Sequence, residues 1–129
     1  MSGIGLTTTP SVEIISTYTA TNQRVPAVAV APGWYVVGAE YLASSADGAR
    51  LQMIGAVSDP SLTLSVRLFD VTAGAPVSGA LASVSALADA RAISGPFSVI
   101  ATHLYQFQMQ VVGGAGDAFF GVMNSASLF

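Results

Sequence analysis

The sequence has 129 residues, no cysteine and a formal net charge of −3. Its length is that of a single domain, and without cysteines it can form neither disulfides nor thiolate metal sites. Only 9% of its residues are charged and 52% are hydrophobic, whereas about 25% of an ordinary soluble domain is charged. Either small neutral residues cover the exterior, or another protein covers much of it, because permanent interfaces are apolar and poor in charge.

The four cations are arginines dispersed along the chain, and there is no lysine. Without a basic patch, we expect no direct binding of nucleic acid. The most apolar stretch, Val25 to Ala46, is interrupted by Pro26, Pro32 and Gly33, so we expect no membrane-spanning helix there and no membrane partner. Residues 1–10, MSGIGLTTTP, lack the charged and apolar regions of a secretory signal. We predict an extended N-terminal arm for this segment.

From residue 11 onward the sequence alternates between short strands and turn residues. Trp34 to Ser44 and Ala49 to Val57 are predicted strands, and Asp47-Gly48 between them is a strong hairpin signal because Asp-Gly tolerates positive φ angles. Ala20 to Arg24 is predicted to be a polar loop. Two further strands are predicted at Val12–Thr19 and Val25–Ala31. The predicted apolar face of the strand from Trp34 consists of Tyr35, Val37, Ala39, Tyr41 and Ala43.

The second half of the chain repeats the alternation of a half-buried strand. Ser61 to Thr72 is one such strand. Val77 to Ile93 fits both helical and strand spacing, and its place in a series of strands favours strand, loop, strand. Ala118 to Phe129 is the predicted closing strand. The inward residues expected on the first strand are Leu62, Leu64, Val66 and Leu68, and those expected on the closing strand are Phe120, Val122, Ala126 and Leu128.

The best-patterned segment is Thr102 to Val112, THLYQFQMQVV. Every second residue is apolar and three glutamines fall between them, which predicts a strand with one buried face and an outward glutamine row. Gly113 to Asp117 is predicted to be a flexible hairpin connection to the closing strand. Together these segments predict an all-β fold over residues 11–129, an antiparallel β-sandwich of jelly-roll-like topology with about 8–10 strands.

Few side chains could carry catalysis. His103 is the only histidine and begins a strand, which favours a partly buried, hydrogen-bonded structural role, and no G-x-S-x-G pattern accompanies it. Glu40 stands alone in an apolar strand, as an outward or arginine-paired acid, a buried interface charge or an acid catalyst. GGAGDA at Gly113 to Ala118 has the wrong spacing for a calcium-binding nonapeptide. We therefore predict a protein that is not an enzyme and has no cofactor or metal.

Four aromatic residues raise the question of a sugar-binding platform. Trp34, Tyr35, Tyr41 and Tyr105 could stack against a sugar ring. Core packing is the alternative for the three tyrosines, because they share parity with aliphatic neighbours, whereas Trp34 lies at a turn exit on the opposite parity. The candidate ligand-binding or interface residues are Trp34, Tyr35, Glu40 and Tyr41.

Four segments carry a resemblance to a known group of proteins. PGWYVVGAEYLASS, SLTLSVRLFDVTAGAPVSGA, RAISGPFSVIATHLYQFQMQVVGG and FFGVMNSASLF resemble the small β-sandwich domains of tailed-phage virion proteins. The likeness covers Val25 to Phe129, and the same pattern is similar to that of some carbohydrate-binding and cell-surface sandwiches. Those virion domains occur in head decoration proteins, head fibres and tail-fibre tips and are commonly trimeric, and they offer no catalytic motif to match.

The first hypothesis is a non-enzymatic structural protein that self-associates, as a trimer, and decorates or stabilises a phage capsid. It would be made in the host cytoplasm and located in the virion with other virion proteins as partners. The alternative is a carbohydrate-binding module, or a receptor-binding fibre tip, that recognises a glycan through Trp34 and nearby tyrosines. A third hypothesis is a hydrolase using Glu40 or His103.

Overall fold

The computed structural model describes residues 19–29, 33–43, 48–116 and 118–129, and the chain forms ten β-strands and no helix within these ranges. The predicted arm at residues 1–10 and the predicted strand at Val12–Thr19, apart from Thr19, lie outside the described residues. The strands are β1 (Thr19–Pro26), β2 (Tyr35–Leu42), β3 (Gly48–Ala49), β4 (Leu51–Val57), β5 (Thr63–Asp70), β6 (Ala75–Val84), β7 (Ala90–Ile93), β8 (Phe97–Ser98), β9 (Leu104–Val112) and β10 (Phe120–Leu128).

In the described part of the chain, two four-stranded antiparallel sheets enclose one hydrophobic core. The first sheet has the strand order β1-β10-β4-β7 and the second has the order β2-β9-β5-β6, while β3 and β8 form a separate two-stranded ribbon. Successive strands along the chain often belong to different sheets, as in a jelly roll. The prediction of an all-β, antiparallel β-sandwich is confirmed.

The strands with the cleanest alternation form the centre of the second sheet. On β9, Tyr105 keeps 1% of its surface exposed, and Phe107, Met109 and Val111 keep none. The predicted inward residues of the neighbouring strand, including Leu62 just before β5, are also fully buried. β5 pairs with β9 along its whole length, from Thr63 opposite Val112 to Asp70 opposite Tyr105. Period-two burial therefore fixes which side chains of these strands point outward.

The segment with two competing interpretations is strand, loop, strand. β6 and β7 are separated by residues 85–89, so the prediction for Val77 to Ile93 is confirmed. β6 pairs with β5 in the second sheet, whereas β7 pairs with β4 in the first. The loop therefore carries the chain from one sheet to the other.

The predicted polar loop at Ala20 to Arg24 is wrong, because these residues belong to β1. This strand lies at the edge of the first sheet as described, and its register runs antiparallel to β10. Ala20 and Val25 are buried, while Thr21 and Arg24 are exposed. Most side chains of this edge strand face solvent and are polar, so its composition is that of a loop. Of the strand predicted at Val25–Ala31, Val25 and Pro26 form the end of β1, residues 27–29 do not continue it, and residues 30–31 lie outside the described residues.

Both predicted hairpins are wrong. The Asp47-Gly48 signal predicts that the strands on either side pair with each other, but β2 lies in the second sheet and β4 in the first. Gly113 to Asp117 also connects different sheets, because β9 pairs with β2 and β5, whereas β10 pairs with β1 and β4. Glycine-rich turn signals indicate that the chain reverses, and in a sandwich the reversing chain can cross to the opposite sheet.

Irregularities in two strands change the predicted faces. On β10 the register shifts between Met123 and Ser125, so Phe120 and Val122 do not share the inward face of Ala126 and Leu128, and that prediction is wrong.

On β2, Val37 pairs with Phe107 and Tyr41 with Tyr105, so three residues of β2 oppose the single residue Gln106. This bulge includes Gly38 at φ 77°, a left-handed conformation that glycine adopts without strain. Of the apolar face predicted for this strand, Val37 and Ala43 are buried, but Tyr35 and Ala39 are exposed.

Candidate functional site

The outer face of the second sheet brings together side chains that are far apart in the sequence. Val36 of β2 lies opposite Gln108 of β9, which lies opposite Arg67 of β5. The next row pairs Gln106 with Phe69. Trp34 directly precedes β2 and has the same outward parity as Val36. The glutamine row thus runs down the middle of the face, between the entry to β2 and the outward residues of β5.

Arg67 is the centre of this face. The guanidinium carbon Cζ lies 4.1 Å from the centroid of the Trp34 ring and 5.6 Å from the centroid of the Phe69 ring. The Nε–H group donates a hydrogen bond of 2.9 Å to Oε1 of Gln108. A cation above an aromatic ring gains about 0.5–2 kcal/mol, depending on how far water is excluded. We call Trp34, Arg67, Phe69 and Gln108 the Arg67 cluster.

Among the described residues, no acid lies within ion-pair distance of Arg67. Burial lowers the pKa of the Arg67 guanidinium, but an arginine remains charged in proteins. In the part of the chain that the structure describes, the only ion pair joins His103 to Asp70. The Arg67 cluster therefore presents a positive charge that is held by two rings and an amide.

Hydroxyl and amide groups surround the Arg67 cluster. Ser65 and Ser83 share a hydrogen bond of 2.8 Å between their Oγ atoms, and Thr63 and Ser85 share one of 3.1 Å. Gln110 lies on the same outward side of β9, and its Oε1 atom is buried without a hydrogen-bond partner among the described residues. Such an atom is an acceptor left unsatisfied. The face therefore combines aromatic surface with groups that hydrogen-bond to hydroxyls.

The structure separates the aromatic residues that sequence reasoning grouped together. Trp34 joins the Arg67 cluster. Tyr105 is buried, and its hydroxyl accepts a hydrogen bond from the Ile100 N–H. Tyr41 packs against the core, and Tyr35 stays 42% exposed opposite Met109.

Glu40 lies within the bulge of β2 and is exposed. Sequence reasoning did not single out Arg67, Phe69 or Gln108 as site residues. Alternation predicts that Arg67 and Gln108 point outward, but only the register shows that they are adjacent.

His103 belongs to a polar anchor at the end of β5. Its Nδ1 lies 2.8 Å from Oδ2 of Asp70, whose Oδ1 accepts a hydrogen bond from the Ala73 N–H. Burial acts to raise the pKa of Asp70, but hydrogen bonds from Ala73 and His103, the charge of His103 and a hydrogen bond from the Thr72 backbone hold this pKa below its ordinary value. The prediction of a partly buried, hydrogen-bonded histidine is confirmed. Across the described ranges, no hydroxyl hydrogen-bonds to His103 as a nucleophile would.

A second feature lies on the outer face of the first sheet. A surface pocket of about 480 Å³ is lined by Arg24, Pro26, Gly116, Phe119 and Phe120. Cζ of Arg24 lies 3.8 Å from the centroid of the Phe120 ring. Arg24 is exposed, so this contact resembles that of Arg67 with Trp34 but is more open to water.

Neither a group of metal-ligating side chains nor a long apolar helix occurs in the described ranges. There, no group of three or more His, Asp or Glu side chains is arranged to hold a metal ion. No helix in these ranges is long and apolar enough to cross a membrane.

Three solved structures with a similar fold were determined with bound sugars. The carbohydrate-binding module CBM36, in complex with calcium and xylotriose, superposes with a TM-score of 0.54 at 9% identity, covering 83% of this chain and 99% of its own. A carbohydrate-binding module from Cellvibrio mixtus lichenase 5A, in complex with cellotriose, has a TM-score of 0.50 at 11% identity and covers 91% of this chain and 92% of its own.

The Arthrobacter globiformis isomalto-dextranase in complex with panose also has a TM-score of 0.50, at 16% identity. The likeness covers 81% of this chain but only 18% of the enzyme. No family model matches the sequence, and neither does any curated protein. At these identities the comparisons establish the β-sandwich fold. The resemblance to tailed-phage virion domains stays a prediction.

Proposed function

We propose that this domain is a non-catalytic carbohydrate-binding module that binds a glycan on the outer face of its second sheet. The observation that carries the proposal is the Arg67 cluster, in which an aromatic ring, a fixed guanidinium and an amide lie side by side on a face rich in glutamine and hydroxyl groups. Support also comes from the fold, which is shared with sandwich modules that were solved with xylotriose and cellotriose.

The chemistry of the face suits a sugar chain. A pyranose presents an apolar C–H surface and a rim of hydroxyls, so it needs an aromatic contact and groups that both donate and accept hydrogen bonds. Trp34 is partly exposed and supplies the ring. The amides of Gln106 and Gln110 each have donor and acceptor atoms. Because Arg67 lies over one face of the indole, the sugar contacts the part of the ring that Arg67 leaves uncovered.

A glycan array tests the proposal, with the Trp34→Ala variant as the control for the platform and Trp34→Phe as a variant that keeps a ring. The wild-type chain should bind one or more glycans, Trp34→Ala should lose that binding, and Trp34→Phe should keep part of it. Failure of the wild-type chain to bind any glycan would contradict the proposal. Full binding by Trp34→Ala would place the ligand on a different face.

A second candidate function is that of a self-associating structural protein of a phage particle. It is favoured by large apolar side chains that stay exposed on the outer strands of the second sheet, namely Val36 at 55%, Leu42 at 59% and Leu81 at 51%. Light scattering after size exclusion tests this candidate at several concentrations. A stable trimer would support it, and a monomer at every concentration would contradict it.

A further inference from the structure

The Arg67 cluster has a feature that a platform for neutral sugars does not need. Arg67 lies on β5, an interior strand of the second sheet with β9 on one side and β6 on the other. A partly buried cation costs free energy unless opposite charge or hydrogen bonds compensate it. No described carboxylate lies within ion-pair distance of Arg67. The positive charge is therefore available to a ligand.

The donors of Arg67 are unevenly used. A guanidinium has five N–H groups in one plane. One of them, on Nε, is held by Gln108. The two terminal nitrogens have no acceptor in the ranges that the structure describes, and Cζ lies over the Trp34 ring at 4.1 Å from its centroid. An incoming acceptor therefore meets the guanidinium at its open edge, beside the indole ring.

The chemistry that fits this edge is a planar carboxylate. Two parallel N–H donors match the two oxygens of a carboxylate in a bidentate pair, which is among the strongest hydrogen-bonded contacts in proteins. The Nε contact with Gln108 fixes the plane in advance, so less side-chain freedom is lost when the ligand binds. In the rows next to Arg67, the glutamines of β9 and the serines of β5 and β6 are neutral and do not compete for the charge. Glu40, exposed in the bulge of β2, forms no ion pair with Arg67.

We propose that the glycan bound on this face is acidic, with the carboxylate of a uronic acid residue paired to the terminal nitrogens of Arg67 and a sugar ring against Trp34. This inference rests on the proposed function, because it names the class of glycan for the same face. Gln108 acts as a positioning residue that aims the guanidinium. Neutral sugars of the same shape bind more weakly, since they leave the charge of Arg67 unpaired.

Oligogalacturonate and its fully methyl-esterified form make a matched pair of probes, because they share the sugar chain and differ in charge. Calorimetric titration of the wild-type chain should give an affinity about 10- to 100-fold higher for the acid than for the ester, the range expected for a charge-assisted hydrogen-bonded pair. The preference should shrink between low and high salt, because the interaction is electrostatic.

Three variants locate the effect. Arg67→Gln should remove the preference for the acid. Arg24→Gln removes the other arginine that stacks on a ring, on the opposite outer face, and should leave the preference unchanged. Gln108→Glu keeps Arg67 but places a carboxylate of this chain against it, and should abolish the preference as fully as Arg67→Gln. Thermal unfolding of each variant separates a lost site from a lost fold.

The outcomes distinguish this inference from the proposed function. Equal affinity for the acid and the ester, with binding lost in Trp34→Ala, would overturn the acidic class and leave carbohydrate binding standing. Binding of a sulfated galactan but not of oligogalacturonate would overturn the proposal that Arg67 pairs with a carboxylate. A preference that disappears in Arg24→Gln and persists in Arg67→Gln would also overturn it. Absence of binding to any glycan would overturn both proposals together.

Discussion

Two arginines of this domain lie over aromatic rings on opposite outer faces, and their surroundings differ. Arg67 is partly buried on the interior strand β5, contacts two rings and is tied to Gln108. Arg24 is exposed on β1, at the edge of the first sheet as described, and lies over the single ring of Phe120. The same kind of contact, an arginine over an aromatic ring, is thus held in place on one face and open to water on the other.

This difference follows from the position of the strand. An interior strand has neighbours on both sides, so its outward side chains are flanked by two further rows that can hold them. An edge strand offers one such row. A side chain that is held before a ligand arrives gives more affinity per contact, because less conformational entropy is lost on binding. The comparison therefore favours the Arg67 face over the Arg24 face as the site of the proposed binding.

The largest expected effect concerns the core beneath the two arginines. Leu68→Ala removes a fully buried side chain next to Arg67 in sequence, and we expect a loss of about 2–5 kcal/mol in the free energy of unfolding. Val25→Ala, next to Arg24, removes fewer atoms from the edge strand and should cost less. Urea denaturation measures the free energy of unfolding of both variants, and the comparison holds if their m-values equal that of the wild type. Equal losses would show that the edge strand is packed as firmly as the interior one.

The next effect concerns the anchor at the end of the strand that carries Arg67. The pKa of Asp70 is lowered in the folded state, so its ionised form stabilises the fold above the unfolded value of about 3.9, and this contribution is lost as pH falls through the folded pKa. Asp70→Asn should lower the free energy of unfolding at pH 7 by about 1–3 kcal/mol. It should also reduce the loss of stability that the wild-type protein shows as the pH is lowered from about 5 to about 2.

Asp59→Asn is the matched control for Asp70. The pKa of Asp59 is lowered by hydrogen bonds from the backbone N–H and then from the hydroxyl of Ser61, but Asp59 is less buried than Asp70. Solvent screens such a group, so urea titrations of this variant at both pH values should stay closer to wild type. A larger loss for Asp59→Asn than for Asp70→Asn would contradict the importance given to the buried anchor.

A smaller effect distinguishes the two arginines directly. Arg67→Gln should lower the free energy of unfolding by about 1–2 kcal/mol, because a partly desolvated cation contact is lost. Arg24→Gln should change it by less than about 0.5 kcal/mol, as an exposed contact is worth little. Thermal unfolding of both variants checks the ranking, and the reverse ranking would mean that Arg24 is the better-held side chain.

The smallest expected effect on stability concerns the hydrogen bond between Arg67 and Gln108. Gln108→Ala removes the acceptor of the Arg67 Nε–H and should cost about 0.5–1.5 kcal/mol, the net worth of one hydrogen bond. Gln106→Ala, one row along the same face, is the matched control and should cost less. Chemical denaturation measures both. Equal losses in the free energy of unfolding would indicate that the hydrogen bond to Arg67 adds nothing to what any glutamine of the row contributes.

The sequence predicts most of the fold but little of the site. Alternation along β5 and β9 correctly predicts the sandwich, the buried rows and the outward glutamines, because burial on one face of a strand repeats every two residues. It also predicts that Arg67 and Gln108 face outward. That these two residues are neighbours depends on the register between strands about 40 positions apart in the chain, and period-two patterns do not encode which strands pair.

Local irregularities account for the remaining differences. β1 has the composition of a loop because its polar side chains face solvent at an edge. The bulge in β2 requires Gly38 at positive φ, and an isolated glycine in a sequence indicates either a bulge or a turn. The shift on β10 moves Phe120 and Val122 off the inward face. Each of these features depends on the partner strand.

The fluorescence of Trp34 tests the central claim most directly, because it is the only tryptophan in the chain and belongs to the proposed site. An oligosaccharide that binds in a calorimeter is titrated into the wild-type protein while the tryptophan emission is recorded. A saturable change in emission, with the same dissociation constant as the heat signal, is the result expected if the glycan lies against Trp34. Calorimetric binding with unchanged emission would contradict the account, since the glycan would then occupy another face.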